Sequence, residues 1–372
     1  MIRLSKSIIG EAEMAATGAV LERGFLGMGS EVQRFEEELS AYFGGREVAC
    51  VNTGTSALHL ALQAIGVGAG DEVLVPTLTY VASFQAIAAT GAVPVACDVR
   101  EIDGLLDLED AERRVTLKTR AIVPVHYASF AGDLEAVYAF SKRHGLRVVE
   151  DAAHAFGCTY GNRRIGSFGD VVCFSFDGIK NITSGEGGAV VSADRDVMAR
   201  VRDARLLGVE RDSEKRYRGE RSWDFEVTAQ GWRYHMSDLM AAIGRVQLNR
   251  FEEDFKPHRR KLVARYREAL DGISGLSLFK SDSDGVVPHI FPVRILDGRR
   301  DEVRQALEDK GIQTGIHYKP NHLLDYFGGG KASLPVAERL YGELLTLPMH
   351  PGVSDEECDC VIAKLIDLLG EE

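Results

Sequence analysis

Phe-Ser-Phe-Asp-Gly-Ile-Lys-Asn (174–181) closes an apolar run that begins at Val171 and ends in a turn carrying one lysine, Lys180. A lysine just after a strand is ordinarily a solvated surface residue. Here Gly185-Glu186-Gly187-Gly188 follows closely and leads into another apolar run, Ala189–Ser192. That encloses Lys180 in a strand–loop–strand hairpin instead of leaving it on an exposed helix face. Further out lie the short apolar runs Glu47–Val51, Glu72–Val75, Val93–Cys97, Ala121–Val125 and Leu146–Val149, separated by helical patterns. Several are nearly continuously hydrophobic, as strands covered on both faces must be. The alternation indicates an α/β fold with a mostly parallel sheet.

The first forty-odd residues read as two helices, with Ser30 and Gln33 as a capping box for the second and Gly44-Gly45 as its end. Glu210–Asp224, polar and Arg-rich, reads as an extended loop. A long helical pattern starts at Ser237 and is expected to be interrupted at Pro257. The domain boundary is placed there: residues 1–250 form a large domain with the N-terminal helices, and 251–372 a smaller α/β unit. The smaller unit is expected to hold strands near Leu276–Phe279, Val287–Ile295 and Gln313–Tyr318. Its helices fall near Arg300–Lys310, Pro335–Leu345 and Asp355–Leu369, the last opened by a Ser354/Glu357 capping box.

At 372 residues the chain can bury a large core. Its net charge of −12 argues against nonspecific binding of nucleic acid or an acidic membrane surface. An anionic ligand must then be held by local Arg, Lys or helix N-termini, against the overall field. No apolar run approaches membrane-spanning length, and Lys6, Glu11 and Glu13 interrupt the first apolar stretch, which argues against a signal peptide. Six cysteines, among them Cys50, Cys173 and Cys358 on apolar faces, lack zinc or redox spacing and read as buried free thiols. A cytoplasmic location and no metal site are expected.

Asn-Thr-Gly-Thr-Ser (52–56) runs from a strand directly into an apolar helix. Free amides and the helix dipole there form an anion site, although such a turn alone also reads as a plain junction with Thr or Ser as N-cap. His59, in the first turns of that helix, reads as a core histidine. Asp151 ends the run Val148-Val149-Glu150, where a carboxylate is expensive unless it meets a cation. His154 follows on the same loop. Taken alone, the pair equally reads as a turn cap and a structural hydrogen bonder. Ser175 lies five residues before Lys180, where its hydroxyl can reach the same anion. A lysine, a buried aspartate and a phosphate-type turn at strand ends are together what pyridoxal phosphate requires. The lysine holds its aldehyde as a Schiff base, the aspartate keeps the ring nitrogen protonated, and the turn holds the phosphate.

Four segments carry a family resemblance: Asn-Thr-Gly-Thr-Ser-Ala-Leu-His-Leu-Ala-Leu (52–62), Gly-Asp-Glu-Val-Leu-Val-Pro-Thr-Leu-Thr-Tyr (70–80), Glu-Asp-Ala-Ala-His-Ala-Phe-Gly (150–157) and residues 174–188. With Gly-Ile-His-Tyr-Lys-Pro (315–320) and Leu-Pro-Met-His-Pro (347–351), the chain resembles the DegT/StrS-type sugar aminotransferases along nearly its whole length. The resemblance implies a fold-type I pyridoxal phosphate transferase, with a mostly parallel seven-stranded sheet in the large domain. It implies that Lys180 is the Schiff-base lysine, Asp151 the partner of the pyridine nitrogen and His154 the histidine on the ring face. Gly54, Thr55, Ser56 and Ser175 match the phosphate cradle, and Tyr80 an aromatic near the cofactor. His317 and Tyr318 match a substrate-side segment. Arg233 stands where many members have an asparagine that reaches the cofactor phosphate of the neighbouring subunit, so a homodimer with shared sites is implied, with an altered contact.

The activity implied is transfer of an amino group from L-glutamate, leaving 2-oxoglutarate, to a nucleotide-diphosphate keto sugar through the pyridoxal and pyridoxamine forms of the cofactor. Tyr-His-Met-Ser-Asp (234–238) leans toward members that aminate a 4-keto-6-deoxy sugar. An amino-cyclitol aminotransferase shares the whole motif set and is the alternative. A related sugar dehydratase typically has histidine in place of Lys180. A non-catalytic cofactor-binding regulator would not need the intact lysine, aspartate and cradle, and no DNA-binding module is recognisable.

Overall fold

The computed structural model describes residues 1–221, 223–280 and 285–370. Ser222 of the expected Glu210–Asp224 loop, and residues 281–284, 371 and 372 of the expected second domain, lie outside that set. Strands β1 (Glu47–Val51), β2 (Glu72–Pro76), β3 (Val93–Cys97), β4 (Thr119–Ile122), β5 (Arg147–Asp151), β6 (Val171–Ser175) and β7 (Gly188–Ser192) form one sheet. Its order is β1-β7-β6-β5-β4-β2-β3. Only β7 runs against the rest, pairing antiparallel with both β1 and β6. Every residue of β6 and β7 is buried, which accounts for their unbroken apolar sequences.

Two apolar layers sandwich the sheet. Phe35, Leu39, Phe43, Phe156, Phe174 and Phe251 pack on one face; Leu58, Ala61, Leu62, Phe84, Met198 and Val201 pack on the other. The amino-terminal helices are Glu11–Arg23 and Ser30–Tyr42. The second is not capped by a Ser30–Gln33 box. Its N-cap is Gly29, and Asp238 Oδ1 accepts hydrogen bonds from the Gly29 and Val32 amides at 2.8 and 3.2 Å. A carboxylate brought in from another helix takes the place of the local hydroxyl.

The chain does not break at Pro257. The Asp238–Arg250 helix passes through a π-helical turn, Phe251–Phe255, directly into the Lys256–Leu270 helix. Pro257 sits in the first turn of that helix, where its missing N–H costs least. Beyond it, β8 (Leu276–Leu278), β9 (Phe291–Ile295) and β10 (Leu344–Leu347) form an antiparallel sheet in that order. The helices Lys256–Leu270, Arg300–Asp309 and Asp355–Gly370 share its core, through Leu262, Leu307, Val361 and Leu365. The Ser354/Glu357 box forms with both of its bonds, at 3.0 and 3.2 Å.

Three expectations fail in this region. Leu344–Leu347 is a strand, not the end of a helix. Residues 313–318 form no strand; Gly315 and Thr346 of the sheet exchange backbone hydrogen bonds at 3.1 and 2.7 Å. The loop from Glu210 contains a short helix, Asp212–Tyr217. The first residues of the chain also join this sheet's surroundings, Ile2 pairing with Ile312 and the Leu4 carbonyl accepting from Met349 N–H. Among the described residues, no helix is long and apolar enough to cross a membrane and no acid, histidine or cysteine cluster could hold a metal ion. All six cysteines are free thiols, and all but Cys360 are buried.

Candidate active site

The carboxyl ends of β1, β5 and β6 converge on a cavity of about 460 Å³, where a sheet of this kind binds its ligand. Gly188, the first residue of β7, lies opposite both Val51 of β1 and Ser175 of β6. It must be glycine, because a Cβ there would come within 2.5 Å of the Thr53 carbonyl. The same close approach brings Gly54 against Ser175, whose Cβ would lie 2.7 Å from a Cβ built on Gly54. The turn after β1 is thereby pressed against the end of β6.

Thr53 caps the Gly54–Ala64 helix, its hydroxyl accepting from Ser56 N–H at 3.0 Å. The amides of Gly54 and Thr55 have no acceptor among the described residues. They, Thr55 and Ser175 line the cavity, so it has a helix N-terminus with free donors and hydroxyls beside it. Ser56 is turned away. Its hydroxyl bonds Asn52 Oδ1 at 2.5 Å and Thr53 Oγ1 at 2.6 Å.

Asp151 is the last residue of β5 and is buried. Its Oδ2 accepts from Ser83 Oγ at 2.7 Å and its Oδ1 from Ala153 N–H at 3.2 Å. No cation pairs with it among the described residues. A desolvated carboxylate with hydrogen bonds but no counter-ion suits a protonated ring nitrogen. His154 is buried against the same cavity, with Tyr318 Oη 3.1 Å from its Nε2. Burial, and then the Lys180 charge, hold its pKa well below the ordinary histidine range.

Lys180 Nζ has no ion pair among the described residues; burial lowers its pKa to about 8, against the opposing pull of Asp177 and Asp151. His317, on the far wall, hydrogen-bonds Thr346 Oγ1 at 2.9 Å, and burial lowers its pKa to about 4. Tyr80 packs on Tyr318 with ring centres 5.6 Å apart.

Of the residues singled out in the sequence, Gly54, Thr55, Tyr80, Asp151, His154, Ser175, Lys180, His317 and Tyr318 line one cavity, and Ser56 and Arg233 do not. Arg233 is exposed and free of any ion pair among the described residues. His59 is a buried core residue, tilted against Trp232 with ring centres 4.9 Å apart and its Nδ1 unpaired among the described residues. Two polar residues went unread in the sequence: Ser83 against Asp151, and His289, whose Nε2 lies 3.4 Å from Lys180 Nζ. Both meet their partners across long stretches of chain, and neither carries a local motif.

The model of the DegT/DnrJ/EryC1/StrS aminotransferase family matches residues 7–366. The chain belongs to that family. It is 37% identical over 375 residues to the spore coat polysaccharide biosynthesis protein SpsC of Bacillus subtilis, covering 98% of this chain and 96% of the relative. Among solved structures, the aminotransferase TlmJ from Streptoalloteichus hindustanus superposes with a TM-score of 0.91 at 34% identity, covering 99% of this chain and 98% of TlmJ. The sugar aminotransferase Spr1654 from Streptococcus pneumoniae, in its pyridoxamine phosphate form, gives 0.92 at 29% identity, covering 99% and 97%. The chain is a pyridoxal phosphate-dependent aminotransferase of fold-type I.

Proposed function

We propose that this aminotransferase moves the amino group of L-glutamate to a keto sugar carried on a nucleotide diphosphate, with a lean toward a 4-keto-6-deoxy sugar. The observation that carries the reading is the cavity itself. A lysine without a counter-ion, a buried carboxylate without a cation and a helix N-terminus with free amides surround one space. The sugar rests on the relatives, which include sugar aminotransferases and a polysaccharide biosynthesis protein.

In this reading Lys180 would hold the cofactor aldehyde and Asp151 would pair its ring nitrogen. His154 and Tyr80 would pack against the cofactor, and Gly54, Thr55, Ser56 and Ser175 would hold its phosphate. Ser56 acts through the turn it ties together, since its own hydroxyl is engaged there. Pyridoxal phosphate, when bound, would supply an electron sink for the donor's α-carbon. Lys180 Nζ would remove the proton from that carbon as base and return it as acid. Asp151 stabilises the positive ring nitrogen that makes the proton acidic. His317 and Tyr318 close the side on which the substrates enter, and Arg233 serves a second copy of the chain.

The purified protein should be yellow, and glutamate alone should bleach the band and release 2-oxoglutarate. A panel of nucleotide-linked 3-keto and 4-keto sugars, and keto-cyclitols, should then restore it, with products identified by mass and NMR. A band indifferent to glutamate but bleached by another amine refutes the donor. Turnover of cyclitols alone refutes the sugar.

A further inference from the structure

His289 precedes β9 and is buried. Its Nε2 is 3.4 Å from Nζ, and among the described residues this is the hydrogen-bonding contact that Nζ makes. The backbone around His289 is anchored, while the ring's Nδ1 has no hydrogen-bond partner among the described residues. The His289 backbone N–H donates to Ser129 Oγ at 2.9 Å, and that hydroxyl donates to the His154 carbonyl at 2.5 Å. The buried Arg259 donates through its Nη1 to the carbonyls of Pro288 and His289 at 3.1 and 3.3 Å. The two imidazoles lie 4.5 Å apart, centre to centre. Ser129 thus ties the backbone at His289 to that at His154, and Arg259 anchors the His289 segment a second time.

A buried ammonium without a partner is costly, yet an amine that shuttles a proton must carry it for part of each cycle. We propose that His289 is the positioning residue that makes this possible: its neutral Nε2 accepts a hydrogen bond from Nζ and holds the charged amine in the cavity. Nδ1 then carries the ring proton, with no acceptor among the described residues, and no proton passes to the imidazole. Burial is the main influence against protonating His289, and the charged and titratable groups around it, Lys180, His154, Arg259 and His317, add to it. Asp151 and Asp177 act on Lys180 from beyond ion-pairing distance. His289 therefore stays an acceptor through the neutral pH range. The inference rests on Lys180 as the proton-moving amine, but its first test does not.

That test uses the full chain loaded with pyridoxamine phosphate, which leaves Lys180 free. The rate of Lys180 acetylation by acetic anhydride is followed against pH by peptide mass spectrometry. A hydrogen bond to a charged group is worth about one pH unit or more. His289→Leu should lower the titration midpoint by that amount, and His289→Gln, whose amide oxygen can accept, should keep it near wild type. His289→Asn, polar but too short to reach Nζ, should behave as leucine does and serves if leucine unfolds the site. In the glutamate half-reaction His289→Leu should slow bleaching about tenfold or more, with the glutamate concentration for half-maximal rate little changed and glutamine restoring most of the rate. Unchanged midpoints in folded leucine and asparagine variants overturn the proposal, as does a glutamine variant shifted as far as leucine. Failure of glutamate to bleach the wild type would count against the donor assignment and leave the acetylation result standing.

Discussion

Ser83 Oγ donates a 2.7 Å hydrogen bond to Asp151 Oδ2, joining the first turn of the Val81–Ala89 helix to the end of β5. Both groups are buried, so neither has water as a substitute partner. Ser83→Ala leaves one carboxylate oxygen without its donor, at a cost of about 1–3 kcal/mol. The expected result is a lower melting temperature together with weaker retention of pyridoxal phosphate on dialysis. A variant that melts lower but keeps its cofactor as tightly as wild type would confine Ser83 to folding.

Asp151→Asn should still bind cofactor, since the amide can keep both the Ser83 and Ala153 contacts. It cannot stabilise a charged ring nitrogen, so transamination should fall a hundredfold or more, the usual scale for an electrostatic contact at a reacting centre. Single-turnover bleaching by glutamate measures it. A rate within about threefold of wild type would reduce Asp151 to a turn residue.

The sheet was readable from short apolar runs because strands buried on both faces have no polar alternation to disguise them. The runs ending at Val51, Asp151 and Ser175 also placed the cavity, since ligands collect at those ends. The sequence pattern failed where a distant contact decides. Leu344–Leu347 follows a helix without a break, and a short apolar run does not declare its period; pairing with β9 makes it a strand. Ser30 lost its cap to Asp238, more than two hundred residues away. His289 stands in Val287-Pro288-His289-Ile290, where nothing local distinguishes it from a strand residue. Its importance comes from Lys180, over a hundred positions earlier.

Lys180 titrates near 8 when free in the fold, because burial penalises its charge. Its unfolded value is about 10.4. Between those two values the unfolded chain binds more protons, so stability of the cofactor-free protein rises as pH goes from about 8 to about 10. Below about 8 the strain of the buried charge is fully present. Lys180→Met, similar in length and uncharged, should stabilise the cofactor-free protein by about 2–3 kcal/mol at pH 7 and remove that rise. Denaturant unfolding at pH 7, 8.5 and 10 tests it, and parallel curves for the two proteins would refute the assignment of a depressed amine.

Arg205 is fully buried and ties four segments together. Its guanidinium pairs with Glu36 and donates to the Cys50 carbonyl at 2.7 Å, Ser213 Oγ at 3.1 Å and Tyr217 Oη at 2.7 Å. Removing one side of a buried pair strands the other charge, at about 3–5 kcal/mol. Arg205→Met should therefore lower stability by that amount, while the double variant with Glu36→Gln should recover part of it. A double variant no better than the single would show that the charge pairing itself is not what is lost.

Arg233 faces outward from a segment anchored beside the phosphate-type turn. Tyr234 carbonyl accepts from Asn52 N–H at 2.7 Å, and Trp232 and Tyr234 N–H donate to the carbonyls of Ala204 and Arg205. The guanidinium reaches neither its own chain's cavity nor Asp224 or Glu226. The neighbouring stretches expose large apolar side chains among their charges: Leu207, Trp223, Phe225 and Val227 are each about half exposed or more, Trp223 at 86%. Bridges between Leu206 and Arg233 and between Val209 and Val227 hold these strands of chain side by side. An exposed arginine without an ion pair among the described residues suits a partner that brings an anion, and a second copy's bound phosphate would be such an anion. The protein should sediment as a dimer. Arg233→Ala and Lys180→Ala homodimers should each be inactive, and mixing them under conditions that exchange subunits should restore up to a quarter of wild-type activity: half the pairs are then mixed, and one of the two sites in each mixed pair has both residues intact. If heterodimers demonstrably form and remain dead, Arg233 does not act across the interface.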